Sequence, residues 1–325
     1  MESIIFKYLR EKLNKKDLLS VYMNMPAVFN KNVPDDMDEN WGETQFPRCV
    51  FDLSMQADSE RKISGQLLVD VMCENEMHGV QPEELESLVR SAIDGCFFSK
   101  TDLTISAKWK SSDTFSENDD KVSGITLAFD ILAYPVQETE PPDPVHAVNL
   151  WLKTLYQNAK VIGRDKLPAV WKPTDESPAL YCRLSNLSES PRMKSTAAVT
   201  WIGATMRVNV MAPSEKVRSV ISKSSIQILT NATRLMLNDG SPMLIDSVTG
   251  NMAADPMREG QIQIKSTYGV LNEYIGTPLN NIYVSGKGSV ETVIPQHHGS
   301  TDEDALIDNE LKLLTDNDGI CLLSN

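Results

Sequence analysis

Residues that usually mark chemistry are scarce in this chain of 325, which has four histidines and five cysteines. His297 and His298 are adjacent, so their rings point apart and suit a metal poorly. His78 and His146 fall at a loop and at a helix start. The cysteines Cys49, Cys73, Cys96, Cys182 and Cys321 are odd in number and have no close pair, the pattern of free, mostly buried thiols in a reducing cytoplasm. Cys73 with His78 lacks a third group to orient a thiol and its base, so a buried thiol is the simpler reading. There is no Gly-rich loop followed by Lys-Ser or Lys-Thr, no paired-cysteine zinc spacing and no nucleophile elbow. The acidic run of Asp35, Asp36, Asp38 and Glu39 lacks the ligand spacing and the closing Glu of a calcium loop. No apolar run reaches about 18 residues and no charged-then-apolar leader occurs, so neither a membrane span nor secretion is expected. These absences predict a protein that is not an enzyme and holds no cofactor or metal.

What is present is an order of elements that runs twice. Residues 1–16 place Ile4, Ile5, Tyr8, Leu9 and Leu13 at helical spacing, with Lys7, Arg10, Glu11 and Lys12 on the other face. A short extended piece at 19–26 and an acidic loop at 34–43 lead to a strand at 47–54, Pro-Arg-Cys-Val-Phe-Asp-Leu-Ser. Residues 63–73 alternate as a longer strand, with Ile63, Leu67, Val69 and Val71 on one face. Pro82 opens a second helix whose positive end is favoured by Glu83, Glu84 and Glu86. Leu85, Leu88, Val89, Ala92 and Ile93 form its stripe and Gly95 stops it. Strands at 103–109 and 122–134 close the unit.

Residues 139–144, Thr-Glu-Pro-Pro-Asp-Pro, read as a linker, because clustered proline fits neither a helix interior nor a central strand. The order then repeats. A helix at 145–160 turns Val148, Leu152, Leu155 and Tyr156 inward, and a short strand follows at 167–171. Residues 178–185, Pro-Ala-Leu-Tyr-Cys-Arg-Leu-Ser, match 47–54 in the leading proline and the closing Leu-Ser. The turn at 188–194 resembles the one at 58–62, and 206–211, Met-Arg-Val-Asn-Val-Met, parallels 67–72, Leu-Leu-Val-Asp-Val-Met. A helix at 213–232, with Val217, Val220, Ile221 and Ile228 as its stripe, precedes strands at 242–248 and 261–270. The expected fold class is α+β. Two tandem α-β-β-β-α-β-β domains, at 1–138 and 145–286, each carry a mostly antiparallel or mixed sheet packed by two helices. A flexible acidic tail at 287–325 includes one amphipathic stretch through Leu306, Ile307, Leu311 and Leu314. Two units of roughly 140 residues each can bury a respectable core.

Charge divides these segments. Of a net −14, residues 1–143 carry −13, residues 144–286 carry +5 and the tail carries −6. An acidic domain repels nucleic acid, whereas a basic one attracts it or docks on an acidic neighbour. Trp41, Trp109, Trp171 and Trp201 flank strands and loops, positions from which one or two can anchor an interface.

The first unit resembles the tail terminator and tail completion proteins of long-tailed bacteriophages. The resemblance is carried by residues 47–51, by Leu-Val-Asp-Val-Met at 68–72 and by Glu-Leu-Glu-Ser-Leu-Val-Arg-Ser-Ala-Ile-Asp-Gly at 84–95. It covers residues 1–136 directly and 144–274 through the repeat. It implies a structural protein at the tail–neck junction of the virion, assembled in the host cytoplasm. Such a protein caps the tail tube as a ring, ends polymerisation and offers an attachment surface to the neck of the filled head. The implied partners are copies of itself, the tail tube protein, a neck or connector protein and the tail sheath, with DNA only passing through the ring. Family members usually have a single unit, so the doubling leaves stoichiometry open. Copies of opposite charge would not bind six equivalent sites alike, which favours a hexamer over a trimer.

The interface is expected on loops. Candidates are Glu60, Arg61 and Lys62 in the first turn, and Glu189, Arg192 and Lys194 in the second, which can form intermolecular ion pairs. Asp35, Asp36, Asp38 and Glu39, with Glu117, Asp119 and Asp120, are candidates to face a DNA conduit, where negative charge lets DNA slide. The alternatives are a neck or head-completion protein of the same fold, and a two-domain α/β enzyme or small-molecule binder with its pocket between the domains.

Overall fold

The computed structural model describes residues 1–14, 18–56, 64–75, 81–117, 121–137 and 140–272. It is an α+β fold, with residues 1–271 forming one compact unit. The first half runs α1 (Glu2–Asn14), β1 (Val21–Tyr22), β2 (Met25–Pro26), β3 (Val28–Asn30), β4 (Arg48–Met55) and β5 (Gly65–Glu74). It continues through α2 (Pro82–Ile93), β6 (Phe97–Ser99), β7 (Leu103–Glu117) and β8 (Val122–Pro135). The second half runs α3 (Pro144–Leu155), β9 (Lys160–Ile162), β10 (Val170–Trp171), β11 (Ala179–Glu189) and β12 (Val199–Met211). It ends with α4 (Glu215–Ala232), β13 (Arg234–Met236), β14 (Pro242–Gly250) and β15 (Ile262–Leu271).

Local sequence explains the longer elements. Along β5 every second side chain is buried, Leu67, Val69, Val71 and Cys73 among them, as a half-covered strand requires. In α2, Pro82 occupies the first turn and Leu85, Val89 and Ile93 recur four apart on the buried face. Gly95, at φ +73°, then turns the chain as few other residues can. Asp143 caps α3 by accepting from the backbone N–H groups of Val145 and His146, so the proline-rich segment ends inside the fold.

Two sheets carry the architecture. The second has the order β13-β14-β15-β12-β11-β9, and six strands of the first follow β6-β7-β8-β5-β4-β3, the same connectivity. In each, one short edge strand runs parallel to its neighbour, β3 to β4 and β9 to β11, while the other pairs are antiparallel. The agreement extends to register. Arg48, Cys49, Val50 and Phe51 stand opposite Met72, Val71, Asp70 and Val69, while Ala179, Leu180, Tyr181 and Cys182 stand opposite Met211, Val210, Asn209 and Val208. On the edge, Val28 faces Cys49 and Val161 faces Leu180. Each half has its own core. One gathers Leu9, Leu85, Val89, Val69, Leu127 and Phe129, and the other gathers Val148, Leu152, Leu180, Met206, Val208 and Leu229.

Several elements differ from the sequence expectation. Residues 19–26 hold the small hairpin β1–β2, and the edge strand is β3. The helix expected to reach residue 160 stops at Leu155. Tyr156 follows it and its hydroxyl bonds to Ser224, Ser225 and the Ile221 carbonyl of α4. The edge strand of the second sheet is therefore Lys160–Ile162, and the segment expected in that role, 167–171, goes elsewhere. Each half also gains a three-residue strand after its second helix, β6 or β13. On α4 the expected stripe holds at Ile221 but not at Val220 and Ile228, which are exposed, while Ser222, Ser225 and Leu229 are buried and Ser225 bonds to the Tyr156 hydroxyl.

Candidate assembly interface

The segment missing from the second sheet completes the first. β10 pairs antiparallel with β6, placing Val170 opposite Phe98 and Trp171 opposite Phe97, so the first sheet has seven strands with one drawn from the other half. Ser99 N–H donates to the Ala169 carbonyl at 2.9 Å. The Trp171 indole stacks on Phe97 with centroids 4.8 Å apart, and its Nε1–H donates to Ser99 Oγ at 3.0 Å. Phe97 stacks in turn on Tyr134, which meets Tyr181 edge-on at 5.2 Å. Both tyrosine hydroxyls donate across the junction, Tyr134 to the Met257 carbonyl and Tyr181 to the Pro135 carbonyl. Lys172 reaches the carbonyls of Ser91 and Asp94 at the C-terminal end of α2, each at 2.8 Å, where the helix dipole favours a cation. Arg258 pairs with Asp130 at 3.2 Å. The two halves are thus joined by a strand, an aromatic core and charged bonds.

A cavity of about 510 Å³ lies beside this junction, lined by residues that include Lys108, Asp130, Arg218, Met252, Arg258 and Gln261. Its carboxylate at Asp130 is held by Arg258 and by Lys110 at 3.6 Å, and Arg218 donates to the carbonyls of Ala212 and Pro213. Among the described residues there is no group of three or more side chains able to hold a metal. Burial pushes the Cys49 thiol up to about 12 and the Cys73 thiol up to about 11, and raises those of Cys96 and Cys182 as well.

The 189–194 turn is anchored. Ser190 Oγ accepts from the N–H groups of Arg192 and Met193, both at 3.1 Å, and bonds to Thr267 Oγ1, which donates to Asp246. Arg192 pairs with Asp246 at 3.3 Å, while Glu189 and Lys194 are exposed. The acidic loop is also partly self-satisfied. Asp36 pairs with Arg48 at 2.7 Å and Asp35 accepts from Met37 N–H. Asp38 accepts from Asn40 N–H and from the Tyr22 hydroxyl, bonds that hold its carboxyl below the usual range. Trp41 donates to the Asp35 carbonyl and packs against Tyr22 and Phe29. Asp35, Asp36 and Glu39 remain exposed. No hydrogen bond or ion pair joins this loop to the 189–194 turn among the described residues. Glu60, Arg61, Lys62, Asp119 and Asp120 lie outside the described residues, as does the side chain of Glu117, the last residue of β7.

Sequence reasoning placed Trp171 on a strand but on the wrong sheet, and it did not single out Phe97, Ser99, Tyr134 or Tyr181. The available signal was Phe-Phe at 97–98 directly after a helix stop. No family model matches the chain, and no curated protein matches it. No helix among the described residues is long and apolar enough to cross a membrane.

Proposed function

We propose that the chain is a structural protein of a long-tailed bacteriophage. In this reading it is a tail terminator that caps the tail tube as a ring, ends its polymerisation and presents an attachment surface to the neck. The observation that supports the reading best is the matched register of the two sheets. Pro47 and Pro178 precede strands whose opposing partners correspond residue for residue, within the same strand order. That agreement supports a duplicated domain, and repeated domains are the material of a ring. A paired strand, a stacked aromatic cluster and charged bonds join one such domain to the next, as ring construction requires. Six domains in one ring need three chains, a stoichiometry proposed in place of the six chains expected from the charge difference. The opposite charges of the copies, which argued against six like sites, favour contact between unlike copies.

The experiment is localisation. Antibody-labelled virions viewed by electron microscopy should carry the label at the head-proximal end of the tail, and the protein should copurify with the tail tube protein. Label elsewhere on the particle, or copurification with the portal and not the tube, would contradict the terminator role.

A further inference from the structure

Among the described residues, the internal junction has an unfilled counterpart. In the first half, the edge strand after the second helix is β6, and it receives β10 from the connection between β9 and β11 of the second half. In the second half, the strand in β6's position is β13, at the end of its sheet with no strand on its outer side among the described residues. Its central Leu235 is buried in its own core, as Phe98 is, while Arg234 and Met236 are exposed where Phe97 and Ser99 are covered. The connection equivalent to that carrying β10 is residues 31–47 of the first half. It follows parallel edge strand β3, contains Trp41 and ends at Pro47, as the other follows β9, contains Trp171 and ends at Pro178.

We infer that β13 of one molecule receives the 31–47 connection of a second copy of this chain, repeating between molecules the relation that already joins the two halves. A contact in which unlike surfaces meet is heterologous, so each chain would offer one edge, open among the described residues, and one loop, and assembly would proceed head to tail. The surfaces suit this occupant. The loop and the adjoining β1–β2 hairpin expose Met23, Met25 and Met37, the last 93 % exposed, and β13 exposes Met236 at 55 %. Asp35, Asp36 and Glu39 ring the loop, whereas β13 carries Arg234 in a half whose net charge is +5. Trp41 does not travel as Trp171 does, because the β1–β2 hairpin, which the second half lacks, holds it at home. The loop's exposed methionines take that place. This deepens the ring reading above and rests on it for the closure of the ring.

The test uses two full-length variants. One carries Arg234→Glu with Met236→Glu on the edge, and the other carries Met37→Lys with Glu39→Lys on the loop. Each should run alone as a single chain by light scattering, with the far-ultraviolet dichroism and melting point of the wild type. Mixed, the two should form a two-chain complex and nothing larger, because one intact edge and one intact loop remain. A wild-type protein that is a single chain, a variant that keeps the wild-type mass, or a mixture that stays monomeric while both variants are folded would overturn the inference and leave β13 to another occupant. Head-to-tail assembly without virion label at the tail would instead remove the terminator function and leave this contact standing.

Discussion

Trp171 closes three relations at one position. It pairs backbone with Phe97, stacks on that ring and donates to Ser99, whose hydroxyl also accepts from Thr104 at 3.0 Å. Removing it opens the junction: Trp171→Ala should lower stability by about 3–5 kcal/mol in denaturant unfolding, the range for large buried aromatics. Trp171→Phe keeps the stacking and loses the indole bond, so its loss should be about 1 kcal/mol. Equal losses for the two variants would mean that the stacking contributes little. The sequence marked this tryptophan as a strand residue and a candidate anchor, but a two-residue strand has no periodicity from which its sheet can be read. Its address is set by Phe97, Tyr134 and Tyr181, which meet only in three dimensions.

Among elements, legibility followed length. The alternation of β5 and the four-apart stripe of α2 declare themselves because several residues repeat one period. The strands β6, β9 and β13 have three residues each and no period to show. On α4 the apolar residues Val220 and Ile228 invited burial, yet Ser222 and Ser225 are buried instead, and Ser225 bonds to a tyrosine 69 positions away. The 189–194 turn was legible as a turn, and its basic residues as candidates. Its tether to β14 and β15 was not, since Ser190, Thr267 and Asp246 are distant in sequence. Ser190→Ala should leave the N–H groups of Arg192 and Met193 without their acceptor and cost about 1 kcal/mol. Hydrogen exchange should rise at residues 191–194 while β5 amides keep their protection. Unchanged exchange in the turn would show that Ser190 does not anchor it. Because Arg192 is already paired with Asp246, Lys194 is the freer cation for an external partner.

On the scale of the whole molecule, the division of charge and the division of structure coincide. An acidic first half and a basic second half share one topology and one register, and a strand from the second completes the sheet of the first. Among the described residues β13 has no strand on its outer side, and the proposed filling of that edge by the 31–47 connection of another copy would close the assembly. Opposite net charges help that association and make it sensitive to ionic strength. The measurement that bears most directly on the proposed ring is the native mass of the full-length protein. Three chains in a closed complex is the predicted result, giving six alternating domains. A single chain at every concentration, or a complex of six chains, would contradict it.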